Sequence, residues 1–278
     1  MISEIVNVAR WEWFKLRFRW MPWILLALFL LFSQIGVWGS FLFFRDFQLE
    51  DVRANFTLPS SISGTLRNSQ PFALILLAIL AASTFGMEYG MGTLRMVLTR
   101  GTGRWQYLAG KFLVLATATV GSLGIVIAAT AISSLIASAL TSGWAQIGQS
   151  GSWMEAAVIL GKIWFSLASY LALTGLVTVL TRSSATGTAI SVGYFFAELI
   201  IVAIFTNLFD WFAAVAEYLL VQNILAWTEG SQSAIGIDGG TAPGQVHAFV
   251  VLLAYLVVLG VGAFWLFQRR DVTGASGG

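Results

Sequence analysis

The sequence contains no cysteine, and charged residues are scarce. The absence of cysteine excludes disulfides, thiolate metal sites and a cysteine nucleophile. Asp, Glu, Lys and Arg make up only 10% of the 278 residues, whereas an ordinary soluble domain has about a quarter. Because so few charges cannot cover a water-facing surface, the composition argues against a soluble globular protein.

Apolar residues dominate instead, at 58% of the chain with a mean hydropathy of +0.82. A membrane-spanning helix needs about 20 mostly apolar residues, and helices satisfy their backbone polar groups within one segment in lipid. The sequence therefore predicts an all-α, polytopic membrane protein with about six transmembrane helices in one domain, residues 1–278. A polar loop, residues 45–70, separates the first two. The predicted spans are residues 22–44, 71–86, 108–140, 156–180, 185–205 and 247–267.

Residues 1–21 predict a helix that lies at the membrane surface. Apolar side chains at three- and four-residue steps form one stripe, which arginines and a lysine flank, and tryptophans suit the headgroup layer. Trp11, Phe14 and Phe18 form a second stripe. We expect the second stripe to pack against the protein and the first to face lipid; alternatively, the segment is a basic flank that only orients the first span. The first stripe consists of Ile2, Ile5, Ala9, Trp13, Leu16 and Trp20.

Lysine and arginine are distributed unevenly between alternate loops. One set of loops holds most of them, and the other set holds only Arg45, Arg53 and Arg67. The positive-inside rule places the basic loops in the cytoplasm. An even number of spans then puts both termini there, as in a multi-pass protein of a bacterial-type inner (plasma) membrane. Residues 206–246 would then lie on the outer side of the membrane. A short apolar piece there, interrupted by acidic residues, predicts an outer loop with a half-inserted helix.

Residues 88–111, EYGMGTLRMVLTRGTGRWQYLAGK, combine glycines and basic residues in the manner of a phosphate loop. A phosphate loop requires two glycines that bracket four residues, followed by Lys and then Ser or Thr. Phe112 follows Gly110 and Lys111, and Trp105 occupies the position of the first glycine. We therefore expect no nucleotide site and no ATPase activity in this chain.

The same residues predict a short helix followed by a turn. Thr93 is a suitable N-cap, and Gly101 can end the helix. A short helix lying under the membrane would present its arginines to a cytoplasmic partner. The alternative is a positive-inside loop that only fixes topology.

The motif E-x-x-x-G-T-L-R-x-x-L, followed by R and then G-K at the start of a long apolar helix, resembles the permeases of the type-2 ABC exporter family. The basic N-terminal helix, the six spans and the FQRRDV end extend the resemblance over nearly the whole chain. It implies that residues 88–107 form a cytoplasmic coupling helix seated in a groove of a separate ATPase subunit. It implies a role in ATPase coupling for Glu88, Gly92, Thr93, Leu94, Arg95, Arg100, Arg104 and Lys111.

The resemblance also implies a function, that of the membrane subunit of an ATP-driven exporter that moves a substrate outward. ATP and Mg would bind the partner subunit, and a second permease copy or a related permease would complete the transporter. This chain would bind no cofactor and no nucleic acid. The alternatives are a secondary transporter, a membrane enzyme, or a membrane assembly factor without ATP coupling.

Two ionisable side chains lie inside predicted spans. Lys162 and Glu198 are each about two turns inside the outer ends of the fourth and fifth spans. The spans are antiparallel neighbours, so similar depth predicts an ion pair. A substrate or proton role is the functional alternative, and outward snorkelling of Lys162 is another structural one.

The fifth span carries small residues at every fourth position, which predicts close helix packing within the subunit or across a dimer. These residues are Ala185, Ala189, Gly193 and Ala197.

Aromatic residues are concentrated at the end of the first span and in the fifth span. They either line a path for an amphipathic substrate or face lipid as an interfacial belt. His247 has no second type of metal ligand near it in sequence, so we expect no metal site. The aromatic residues are Trp38, Phe41, Phe43, Phe44, Tyr194, Phe195 and Phe196.

Overall fold

A computed structural model describes residues 2–44, 56–94, 96, 103–141, 151–229 and 243–269. These residues form nine α-helices and contain no strand. The helices are α1 (Ile2–Arg17), α2 (Trp20–Phe44), α3 (Ser60–Gly90), α4 (Arg104–Thr141), α5 (Trp153–Thr181), α6 (Ser184–Leu208), α7 (Asp210–Ala216), α8 (Leu220–Glu229) and α9 (Gln245–Arg269).

Six of these helices are long and apolar enough to cross a membrane, as the sequence predicts. They are α2, α3, α4, α5, α6 and α9. The remaining three are short or amphipathic: α1 precedes the first span, and α7 and α8 lie between the last two spans. The all-α, polytopic fold class is therefore confirmed.

The predicted start of the second span is wrong. The polar residues 60–70 are helical, and α3 continues through Pro71 instead of beginning there. Proline removes one internal backbone hydrogen bond and usually begins a helix, so hydropathy and proline together suggested a boundary at that point. Most of the polar side chains before it, including Ser61, Ser69 and Gln70, are buried. Burial within the protein explains how polar residues extend a helix that the hydropathy pattern ends.

The chain divides into two compact units. The first unit contains Met1–Arg19, Leu77–Thr117 and Ser166–Gly278, and the second contains Trp20–Leu76 and Ala118–Phe165. In the second unit, Val37, Phe41, Phe56 and Ala137 form a buried cluster against which Trp38 packs. Trp38 and Phe41 therefore contribute to a packed core, and a substrate path or an interfacial belt formed by the aromatic residues stays a prediction.

Residues 206–229 in the first unit are mostly helical. After α6 ends at Leu208, α7 packs Phe212 and Ala216 against Val202 of α6, with Leu219 beside them. Residues 230–242 lie outside the described residues, and the half-inserted placement of this region stays a prediction.

The stripe of α1 that we predicted to pack inward is exposed, and the first stripe is only partly buried, since Trp13 and Trp20 are exposed. Leu16 and Glu12 are buried, whereas Trp11 is 70% exposed and Phe14 and Phe18 are exposed as well. The predicted assignment treated all apolar residues as equal. It overlooked that Glu12 lies one turn from Leu16 on the first stripe, where its carboxylate finds charged partners.

Candidate functional site

Residues 91–103 connect α3 to α4 and contain most of the motif on which the family resemblance rests. Gly92 follows α3 with φ +66°, a left-handed conformation that glycine adopts without steric cost. Leu94 is buried. Arg95 and Arg100 lie outside the described residues, as do most of the predicted short helix and Gly101.

The two ends of this connection meet at a group of four charges, three of them buried, which we call the charge quartet. Its members are Glu12 and Lys15 of α1, Glu88 of α3 and Lys111 of α4. Lys15 Nζ lies 2.6 Å from Glu12 Oε1 and 2.6 Å from Glu88 Oε1. Lys111 Nζ lies 3.3 Å from Glu12 Oε2 and 3.3 Å from Glu88 Oε2. Each ammonium therefore contacts both carboxylates, and the quartet has no net charge.

Lys111 is the inner member of the quartet, with a side chain only 2% exposed. Its Nζ also donates to the carbonyl oxygen of Thr84 at 2.6 Å and lies over the ring of Tyr107. Lys15 is the outer member, with 38% of its side chain exposed. Burial alone would raise the pKa of the Glu12 carboxyl, but the charges of Lys111 and Lys15 and their hydrogen bonds hold that pKa below its usual value.

The sequence motif includes Glu88 and Lys111, whereas Glu12 and Lys15 are site residues that it does not predict. The structure places Glu88 and Lys111 inside the protein, so neither presents an exposed charge to a partner. A signal for Glu12 was present, because a carboxylate on an apolar helical stripe requires a partner when that stripe is buried. Lys15, three residues further on, supplies one.

Arg104, at the start of α4, contacts the end of α9. Its guanidinium Nη1 donates to the carbonyl oxygen of Gln268 at 2.8 Å, and a cation at a helix C-terminus is favourably placed for the unpaired carbonyls and the helix dipole. Next to it, the ring of Tyr107 stacks on Phe267 with the centroids 5.7 Å apart. These contacts fix the start of α4 against the last turn of α9.

Glu198 is buried in α6 and accepts a hydrogen bond at Oε1 from the backbone N–H of Gln222 at 2.9 Å. Gln222 belongs to the first turn of α8, whose amides have no partners within the helix. Glu198 thus acts as an N-cap supplied by another helix. Lys162 is half-buried on α5 in the second unit, and the Lys162–Glu198 ion pair stays a prediction.

The small-residue stripe of α6 faces outward. Ala185, Ala189, Gly193 and Ala197 are all exposed in the described part of the chain. Close packing of this stripe against a second copy stays a prediction.

His247 lies at the start of α9 and contacts protein groups. Its Nε2 donates to the carbonyl oxygen of Glu217 at 2.9 Å, and its ring packs edge-on against Tyr218. Among the described residues, no group of three or more His, Asp and Glu side chains is arranged to hold a metal ion.

These features define a multi-pass, α-helical membrane protein with a buried charge cluster at the connection between its second and third spans. Comparison with known proteins names the class. Residues 23–273 match the family described as "Protein of unknown function (DUF2705)". The probable ABC transporter permease protein NosY of Stutzerimonas stutzeri is 32% identical over an alignment 297 positions long, which covers 97% of this chain and 99% of that protein.

The chain therefore belongs to the ABC transporter permeases, within the family described as DUF2705. It is a permease subunit of an ABC transporter, a complex that also contains an ATPase partner. The resemblance to ABC transporter permeases found in the sequence is confirmed.

Proposed function

We propose that this chain is the membrane subunit of an ATP-driven exporter in which residues 88–107 couple ATP hydrolysis on a separate subunit to outward transport. ATP and Mg bind that ATPase partner. A second permease copy or a related permease completes the transport path, and both termini lie in the cytoplasm. Closure of the ATPases on ATP pushes residues 88–107 and rocks the two halves of the transporter.

The observation that supports this proposal is the set of buried contacts between α3 and α4, the two helices that flank residues 91–103. Lys111 of α4 lies 3.3 Å from the Glu88 carboxylate and 2.6 Å from the Thr84 carbonyl oxygen, both in the last two turns of α3. Because these contacts are buried, water does not compete for them. A push on residues 91–103 therefore moves the ends of α3 and α4 together and is not absorbed by the connection.

Arg104 connects α4 to a third span, α9. Its hydrogen bond to Gln268 joins the start of α4 to the last turn of α9. The same connection is basic, with Arg95 and Arg100 in its sequence. Charges at the rim of such an interface set register and association rate more than affinity.

The proposal is tested by charge reversal in the assembled complex. The chain is co-produced with a candidate P-loop ATPase subunit from the same genome, and ATP hydrolysis is measured in vesicles with and without the permease. Arg104→Glu and Arg95→Glu should fold and should reduce the permease-dependent change in ATPase rate by about fivefold or more. Arg10→Glu, an exposed reversal on α1, is the matched control and should behave as wild type.

Direction is measured in inside-out vesicles, where added ATP should drive uptake from a panel of labelled lipids, peptides and hydrophobic dyes. ATPase stimulation that survives both reversals unchanged would contradict coupling through residues 88–107. Transport that needs an ion gradient but no ATP would favour a secondary transporter instead.

A further inference from the structure

Helix α1 contacts the ends of α3 and α4 through a single compact surface. Gly110 of α4 admits α1 closely, because a Cβ at that position would lie 2.6 Å from Val8 Cγ1 and 3.3 Å from the Ala9 backbone nitrogen. One turn further along α1, Glu12 and Lys15 reach the charges of the other two helices. Gly110 and Lys111 are adjacent, so the close backbone approach and the ion pairs belong to one contact.

Half of the charge quartet comes from α1. Lys15 contacts Glu88 on α3 at 2.6 Å, and Glu12 contacts Lys111 on α4 at 3.3 Å. Helix α1 is therefore bound to both sides of the connection at residues 91–103. A displacement of the end of α3 or the start of α4 relative to α1 would therefore break ion pairs that α1 makes.

Stability alone does not require charges at this position. A buried ion pair is often no more stabilising than well-packed apolar side chains of similar volume, although removal of one partner is costly. The charges instead fix the position of α1 along the ends of α3 and α4. Lys15 Nζ meets both carboxylates only when the turn of α1 that carries Glu12 and Lys15 faces the end of α3.

We propose that Glu12 and Lys15 are positioning residues for ATP coupling and that α1 moves as one element with the ends of α3 and α4. This inference rests on the proposed function and adds α1 to the moving part. The residues act through Glu88 and Lys111 and contact neither nucleotide nor substrate.

The test is a double variant that releases α1 without leaving a buried unbalanced charge. Glu12→Gln with Lys15→Met removes one charge of each sign and keeps the Glu88–Lys111 pair. The permease should remain folded and bound to the ATPase, with a thermal midpoint near that of wild type. Its permease-dependent change in ATPase rate should fall by about fivefold or more.

Two controls separate positioning from simple structural support. Lys15→Arg keeps a cation within reach of both carboxylates, so it should retain most of the stimulation. Arg10→Gln with Trp11→Leu alters the exposed side of the same helix and should leave stimulation at the wild-type level. Both are measured in the same vesicles, with co-purified ATPase quantified for each variant.

The failures are distinguishable. If the wild-type permease does not alter the ATPase rate, the proposed function fails and this inference fails with it. If the wild type does and the double variant stimulates equally, only the positioning role is overturned. Loss of folding in the double variant, despite its balanced charge, would also overturn it, because the residues would then be structural.

Discussion

Two polar clusters inside the described residues differ in the kind of interaction that they use. The charge quartet of the first unit has four ionised groups at 2.6–3.3 Å. A hydroxyl network in the second unit, made of Gln34, Trp38, Thr130 and Ser133, is neutral. There, Ser133 Oγ donates to Gln34 Oε1 at 2.7 Å, and the Trp38 indole N–H donates to Ser133 Oγ at 3.1 Å.

The comparison indicates where the protein depends on an exact set of residues. Neutral hydrogen bonds between membrane helices contribute about 0.6 kcal/mol on average, since alternative partners remain available. In the quartet, loss of any one member leaves the other three with a net charge that burial penalises. We therefore expect the hydroxyl network to tolerate single changes and the quartet to tolerate only balanced ones.

The largest effect is expected for Lys111→Met. This change leaves the buried carboxylates of Glu12 and Glu88 with Lys15 alone, and it should destabilise the protein by about 3–5 kcal/mol. Ser133→Ala in the hydroxyl network should cost about 0.6 kcal/mol. Thermal unfolding of the purified protein in detergent measures both.

A second substitution that restores the charge balance of the quartet tests this prediction further. Glu12→Gln added to Lys111→Met restores neutrality with Lys15 and Glu88, so it should recover much of the lost stability. Equal losses in Lys111→Met and Ser133→Ala would refute the distinction between the two clusters.

The sequence predicts the number of spans well, because hydropathy reports directly on burial in lipid. It predicts less well where polar side chains are buried in protein. The start of α3 at Ser60 was missed because serines and Gln70 interrupt the apolar pattern, and their partners are supplied by the fold. The family motif identified Glu88 and Lys111, but Glu12 and Lys15 are more than 70 residues away in sequence, as the 73-residue separation of Lys15 and Glu88 illustrates.

Glu198 provides an intermediate case, a single buried carboxylate that caps a helix. Glu198→Leu removes the acceptor of the Gln222 N–H and should destabilise the protein by about 1–2 kcal/mol. Glu198→Gln keeps an acceptor oxygen and should cost clearly less. Detergent thermal unfolding of both variants is the measurement.

The same pair of variants tests the ion pair that the sequence predicts between Glu198 and Lys162. An ion pair requires the negative charge, so Glu198→Gln would then be as harmful as Glu198→Leu, and Lys162→Met would be harmful too. If Glu198→Gln and Lys162→Met each lower stability only slightly, the ion pair is contradicted. The helix cap on α8 would then be enough to explain why Glu198 is buried.

The stability that Glu12 contributes through the quartet depends on pH. The folded protein holds the pKa of Glu12 below its ordinary value of 4.5, so the unfolded chain binds the proton first as pH falls. The stability that ionised Glu12 contributes is therefore complete above that ordinary value and is lost as pH falls through the folded pKa.

The difference in thermal midpoint between wild type and Glu12→Gln should stay constant from about pH 8 to about pH 6 and shrink toward zero in acid. The difference between wild type and Ser133→Ala involves no titrating group of the hydroxyl network and should not follow that curve. A Glu12→Gln difference that grows in acid would reverse the sign and show that Glu12 is stabilised in its protonated form.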